Sequence, residues 1–258
     1  MEAIGATELA LQSNLTYWWS RTVHVNVPKP RTVIVADCGR ALREAVTKER
    51  PLPPVLRAEL EAAAASLGFP VFMRTDAAAA KHSWRQTCFV ECREDLVPNL
   101  FRLVEENLLA DILGLPFTAV VFREVLPLDA AFIAFHGRLP IAPERRYFVR
   151  DGRVEAHFPY WPQHAIRPCR ETPADWRDRL AAMNQQTPEE VALLRGYAEQ
   201  LGAALPGYWS FDFARARDGT WYWIDAARGE LSWRPDASPD PAPDADPVDW
   251  LVPAGEDG

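Results

Sequence analysis

Residues 209–230 read WSFDFARARDGTWYWIDAARGE, two aromatic-rich runs joined at Asp218-Gly219. Asp-Gly is favoured at the centre of two-residue type I′ hairpin turns, so the stretch reads as two antiparallel strands. A two-residue loop sets Arg217 opposite Thr220 and, counting outward, Asp212 opposite Asp225. Phe211, Phe213, Tyr222 and Ile224 fall on the other face and form the expected core side. Directly opposed Cβ atoms lie about 5 Å apart, where like charges destabilise a sheet. Two carboxylates so placed need a cation or a shared proton, or else lie at a solvated edge and repel weakly through water. A hard divalent ion such as Mg²⁺ takes oxygen ligands, and often uses one or two carboxylates plus a substrate's phosphates. On this reading Asp212→Asn leaves stability near wild type, because it removes a repulsion.

The chain has 258 residues, 48% of them apolar, enough for one large domain or two smaller ones with packed cores. No apolar run approaches the ~20 residues of a membrane helix. The first residues, MEAIGATELALQSN, show no basic region followed by an apolar one. A cytoplasmic protein without a membrane partner is expected. Cys38, Cys88, Cys92 and Cys169 have no metal-ligand pair spacing and read as reduced thiols. The net charge is −8, but residues 236–258 hold seven acidic residues and no basic one, which leaves the rest near −1. A near-neutral body gives no electrostatic case for nucleic-acid binding.

Working outward, residues 7–20 read as a helix and 31–37 (RTVIVAD) as a strand. An Ala/Glu/Leu-rich helix follows over 52–67, then a strand at 69–74 (FPVFMR). The loop TDAAAAKHSWRQ and a strand at 87–91 come next. Its small side chains would let backbone N–H groups approach a phosphate, with Lys81 adding charge; an ordinary surface loop accounts for it equally. A helix spans 95–113 and strands span 117–124 and 130–135. A second hairpin, 145–150 with 153–158 about Asp151-Gly152, sets Arg146 opposite His157. Residues 176–205 hold one or two helices, with Thr187 as cap and Pro188 at the first position. Past Trp233 the Pro/Asp/Ala-rich chain reads as disordered.

This order of elements resembles the ATP-grasp superfamily over roughly residues 69–233. The resemblance implies an α+β, ATP-grasp-like fold, with two α+β lobes whose antiparallel sheets enclose a nucleotide cleft. It divides the chain into a leading segment or small domain (1–68), a small lobe (69–123), a large lobe (124–235) and an acidic disordered tail (236–258). FPVFMR is similar to the strand whose terminal basic residue contacts nucleotide phosphates, with Arg74 in place of the usual lysine. That replacement is similar to a branch which includes the eukaryotic cell-division-cycle assembly factor for translation initiation. The resemblance puts Lys81 on the phosphate-covering loop. REVLPLD looks like the interlobe hinge that carries adenine on its backbone, with Glu124 at the amino group, Val125 and Leu126 along the ring and Asp129 near the ribose. ERRYFV resembles the strand whose arginine, here Arg146, reaches the terminal phosphate. Asp212 and Asp225 become metal ligands. The family's asparagine two positions after the second acid is Ala227 here, which leaves Glu230 or solvent to complete the shell.

The function so implied is an ATP-dependent ligase. It would join a carboxylate to an amine or similar nucleophile through an acyl phosphate, with ATP and Mg²⁺ as cofactors and Lys81 and Arg146 acting in catalysis. Its substrate would be a small molecule or peptide. The alternative is an ATP·Mg-binding assembly factor or protein-binding module with little ligase activity and a protein partner.

Overall fold

The computed structural model describes residues 5–112 and 117–234. Two four-stranded antiparallel sheets organise them. The first runs β1 (Thr32–Val35), β4 (Val120–Glu124), β2 (Val71–Thr75), β3 (Phe89–Val90). The second runs β10 (Trp221–Arg228), β9 (Tyr208–Arg215), β7 (Glu144–Arg150), β8 (Arg153–Pro159). The α+β architecture with antiparallel sheets is as the sequence suggests.

Period-two alternation gives each sheet one apolar face. In the first, Val71, Met73, Val120 and Phe122 pack under α3 (Gly39–Thr47), α4 (Pro54–Leu67) and α5 (Leu96–Ile112). Its other face carries Phe72, Arg74, Val121 and Arg123. In the second, Tyr147, Val149, Phe211, Phe213, Trp221 and Trp223 pack against α7 (Pro188–Ala204) and α2 (Leu15–Thr22). Its other face carries Arg146, Asp212 and Ala214. Each large apolar side chain so buried contributes about 1.5–3 kcal/mol relative to exposure. A smaller core joins the hairpin β5 (Phe132–Ala134) and β6 (Leu139–Ile141) to α6 (Trp176–Met183) through Trp161, Trp176 and Leu180.

Residues 5–68 do not stand apart as a leading segment. The strand β1 extends the first sheet, and α3 and α4 belong to its core, whereas α2 belongs to the core of the second. The helix expected over 7–20 is two helices, α1 (Ala6–Ser13) and α2, broken at Asn14, whose backbone is extended (φ −63°, ψ 139°). The break has a partner: the Leu15 N–H donates to the Asp76 carbonyl at 2.7 Å. The fully buried Asp76 carboxylate accepts from Thr118 N (2.8 Å), Ala119 N (3.1 Å), Thr118 Oγ1 (2.7 Å) and Thr16 Oγ1 (3.1 Å). The acidic tail expected over 236–258 lies outside the described residues.

Both hairpins depart from simple counting. At the 218–219 turn, Ala216 N–H donates to Thr220 O at 2.8 Å and Gly219 N–H to Ala216 O at 3.0 Å. Only Gly219 is left-handed there (φ 86°), which makes this a three-residue loop and not a type I′ turn. Trp221 therefore pairs with Arg215 and Trp223 with Phe213, one residue out of the expected step. A bulge at Ile224 takes up the difference, and Asp225 does pair with Asp212. The core face is accordingly built from Trp221 and Trp223, not from Tyr222 and Ile224. In the other hairpin Asp151 (φ 48°) and Gly152 (φ 78°) do form the two-residue turn, but an extra residue at Glu155 shifts the pairs beyond it. Arg146 lies opposite Phe158, not His157, and His157 stacks on Tyr147 with ring centres 5.0 Å apart.

Candidate functional site

A cavity of about 410 Å³ lies between the two sheets. Its walls are Phe72, Trp84, Leu139 and Pro140; its back is the connection through Glu124, Val125, Leu126 and Leu128. At one end Arg74, Lys81, Arg123, Glu144 and Asp225 bring charge from both sheets. Such a mix of apolar walls and a few convergent polar groups is typical of a small-molecule site.

The charged groups are ordered by ion pairs across strands and lobes. Arg146, on β7, pairs with Asp212 on β9, Nε–Oδ1 and Nη2–Oδ2 both at 2.8 Å. Arg74 is buried at the end of β2 and its Nη1 lies 2.9 Å from Asp225 Oδ1. Lys81 Nζ lies 3.9 Å from Glu144 Oε2. Tyr160 faces both Lys81 and Arg146, whose cationic groups sit 5.3 Å and 4.7 Å from its ring centre. Thus the two opposed aspartates are neutralised by guanidinium groups, not left to repel.

Proton affinities follow from this arrangement. Burial alone would raise Asp225, but Arg74, Lys81 and Arg123 hold it below the ordinary carboxylate value. Burial would lower Lys81; Glu144, Tyr160 and the two aspartates outweigh it and leave Lys81 raised. Glu144 is raised by burial, with Lys81 opposing. Glu144 Oε2 and the Trp161 indole N–H are both buried without a well-formed hydrogen bond, yet close enough for the indole to favour the charged carboxylate.

The loop carrying Lys81 is folded on itself before any ligand arrives. Thr75 N–H donates to Ala78 O (3.1 Å) and Ala78 N–H to Thr75 Oγ1 (3.0 Å), so these amides are not an open cradle. Ala80 is left-handed (φ 48°) and turns Lys81 toward the cavity. Trp84 stacks on Phe72, 5.7 Å between centres, and closes the wall. Gly137, in the β5–β6 turn, then pins the loop to the other lobe: its N–H donates to His82 O (2.9 Å) and its carbonyl accepts from Arg85 N (3.1 Å).

Of the residues expected at the site, Arg74, Lys81, Glu124, Val125, Leu126 and Asp225 line the cavity. Arg146 and Asp212 sit beside it on the same cluster of charges. Glu124 has its carboxylate tied to Arg31, from the backbone N–H (2.8 Å) and Nε (2.9 Å), so it offers the cleft its main chain. Two expectations are corrected. Asp129 is turned outward to Arg215 and is not among the lining residues. Glu230 is exposed beyond β10 and pairs with Arg228 at 2.9 Å, apart from the aspartates. Glu144, Tyr160 and Arg123 were not singled out from the sequence; the one available signal was that Glu144 and Arg146 share a strand face, as do Arg74 and Arg123 on neighbouring strands.

No group of three or more His, Cys, Asp or Glu among the described residues forms a ready metal cage. The donors present are nonetheless hard oxygens: the paired Asp212 and Asp225, and Glu144 Oε2, which lacks a hydrogen bond. That set suits Mg²⁺, with Arg146 or Arg74 yielding its hold.

The family model described as ATP-grasp domain, clade family 3, matches residues 62–245. A search of curated proteins finds no match. Among solved structures, Cdc123 from Schizosaccharomyces pombe is similar at 15% identity over 88% of this chain and 87% of that one, with a TM-score of 0.59. Its C-terminally truncated form is similar at 14% identity with the same coverage and a TM-score of 0.58. A RimK domain ATP-grasp protein from Sphaerobacter thermophilus is similar at 14% identity over 89% of this chain and 63% of that one, with a TM-score of 0.46. At these identities the likeness extends to the fold.

Proposed function

Because the chain belongs to the ATP-grasp domain family, we propose that its cleft binds ATP with Mg²⁺ and that it is an ATP-dependent ligase joining a carboxylate to an amine or similar nucleophile. One observation carries the reading. The cavity places an apolar slot at the hinge, beside Val125 and Leu126, next to a cluster of Arg74, Lys81 and Asp225 drawn from both lobes. The slot fits a purine and the cluster fits a polyphosphate.

In this scheme the γ-phosphoryl group passes to the substrate carboxylate, and the nucleophile then displaces phosphate, giving an amide, ADP and inorganic phosphate. The chain's share is positioning and charge compensation. Arg74 and Lys81 hold the phosphates, and Arg146 offsets charge that develops during transfer. The main chain at Glu124 meets the base, and Val125 and Leu126 flank it. Asp212, Asp225 and Glu144 are the residues that would hold Mg²⁺, which when bound neutralises phosphate charge. The substrate is a small molecule or peptide, and the setting is cytoplasmic. Among the described residues no helix is long and apolar enough to cross a membrane.

A second reading is an ATP·Mg-binding assembly factor or protein-binding module with little ligase activity. It is favoured by the arginine partners of both aspartates, which hold the metal ligands without any metal. A thermal-shift series with ATP, ADP and other nucleotides, with and without Mg²⁺, tests binding under both readings. Release of ADP and phosphate against a panel of carboxylates and amines separates them. A chain that no nucleotide stabilises sinks both.

A further inference from the structure

Among the described residues, Arg123 is a buried cation without a carboxylate of its own. It stands one residue before the hinge, pairs with Phe72 across β2, and shares with Phe72 and Arg74 the sheet face that lines the cavity. It is 3% exposed. Its Nη1 donates to the carbonyl of Ile224, the bulged residue of β10, while its buried Nε has no hydrogen-bond partner among the described residues. Its guanidinium lies 5.7 Å from the ring centre of Trp18 and 5.3 Å from that of Trp19, both on α2.

Charge in this corner does not balance. The carboxylate that acts on Arg123 is Asp225, and Asp225 is engaged by Arg74 at 2.9 Å. Two guanidiniums thus share one carboxylate. Burial, and then Arg74, weaken the hold of Arg123 on its proton, with Asp225 opposing. Indole faces compensate a cation only in part, and removing a buried charge that lacks a full partner tends to stabilise a fold. A site left one negative charge short, beside a cavity, is built for an anion.

We propose that Arg123 is a phosphate-binding residue of this cleft, forming with Arg74 a two-guanidinium clamp on an oligophosphate, and that Trp18 and Trp19 hold it in position. The inference rests on the nucleotide-binding reading above. It extends the site to residues ahead of 62, outside the segment matched by the family model. Guanidinium suits the role, since its planar fork meets two phosphate oxygens at once.

The test compares wild type, Arg123→Met and Arg123→Lys by calorimetric titration with ATP and with adenosine, and by unfolding temperature without ligand. Arg123→Met removes the charge and keeps the bulk. Its unliganded unfolding temperature is expected to equal or exceed that of wild type. Its ATP affinity should fall about tenfold or more, the loss of one charge-assisted hydrogen bond. Adenosine, which has no phosphate, should bind both proteins alike. Arg123→Lys keeps the charge without the fork and should recover part of the ATP affinity. An Arg123→Met affinity for ATP within about twofold of wild type, or an equal loss for adenosine, overturns the inference. So does an Arg123→Met protein that unfolds earlier or fails to fold, which would make Arg123 a structural cation joining α2 to β10. If wild type itself binds no ATP, the nucleotide reading fails first; if only the comparison fails, this inference alone is lost.

Discussion

Arg146 holds Asp212 with both arms of its guanidinium, Nε to Oδ1 and Nη2 to Oδ2 at 2.8 Å each, across the adjacent strands β7 and β9. The pair is largely buried, with side-chain exposures of 16% and 7%. Asp212 is therefore one half of a desolvated ion pair, and its opposition to Asp225 is no longer the dominant fact about it.

Asp212→Asn should accordingly destabilise the unliganded protein, not leave it unchanged. Breaking a buried pair by neutralising one member strands the other charge, at a cost of about 3 kcal/mol. Urea unfolding at neutral pH measures it. A loss below about 0.5 kcal/mol would return the pair to the class of weak surface contacts.

Acid should act through Asp225. Its proton affinity in the folded protein lies below the ordinary value of 3.8, held there by Arg74, Lys81 and Arg123 against burial. A depressed carboxyl binds fewer protons when folded than when unfolded, so its stabilisation is present above pH 3.8 and disappears as pH falls through the folded value. The stability gap between wild type and Asp225→Asn should be open at pH 7 and close on acidification below 3.8. A gap that stays constant between those limits means that the charge of Asp225 contributes nothing.

Gly137→Ala should unseat the Lys81 loop. A Cβ there would lie 2.2 Å from Trp84 N and 2.3 Å from His82 O, backbone atoms that cannot swing aside. Relief requires the β5–β6 turn to part from the loop and lose its two backbone hydrogen bonds, an overpacking cost of about 1–3 kcal/mol. Hydrogen exchange should rise at Arg85 and Gly137 while β9 stays protected. Unchanged protection at Arg85 would show that the turn does not clamp the loop.

Removal of residues 236–258 should leave ATP binding unaltered, since the cavity's lining residues run from Pro30 to Asp225. Titration of the shortened chain against the full one decides it. A drop of about tenfold in affinity would bring the tail into the site.

The opposition of Asp212 and Asp225 was legible for a reason only half correct. The Asp218-Gly219 turn holds one residue more than its dipeptide suggests, and the bulge at Ile224 cancels the error. At Asp151-Gly152 the turn is as expected, yet the extra residue Glu155 moves Arg146 away from His157. A bulge inserts a residue without changing side-chain chemistry, so alternation in the sequence does not mark it. The apolar faces of β2, β4, β7 and β9 were legible because burial selects for period two. Glu144 and Arg123 were hidden because a charged residue in a strand ordinarily faces water. Their burial arises only when the two sheets are brought together, with Trp161 over one and Trp18 and Trp19 over the other.

Asp76 works as a mooring. Through Thr16 and Leu15 it ropes α2, a member of the second sheet's core, to the end of β2 in the first. A polypeptide trimmed to residues 62–245 would retain the whole family segment and cast off that rope. It would also lose β1 and bare the flank of β4, an unpaired edge of the kind that recruits other chains into aggregates. The inheritable unit recognised by kinship is thus shorter than the unit that can stand alone in water, and expression trials guided by kinship would cut through the keel.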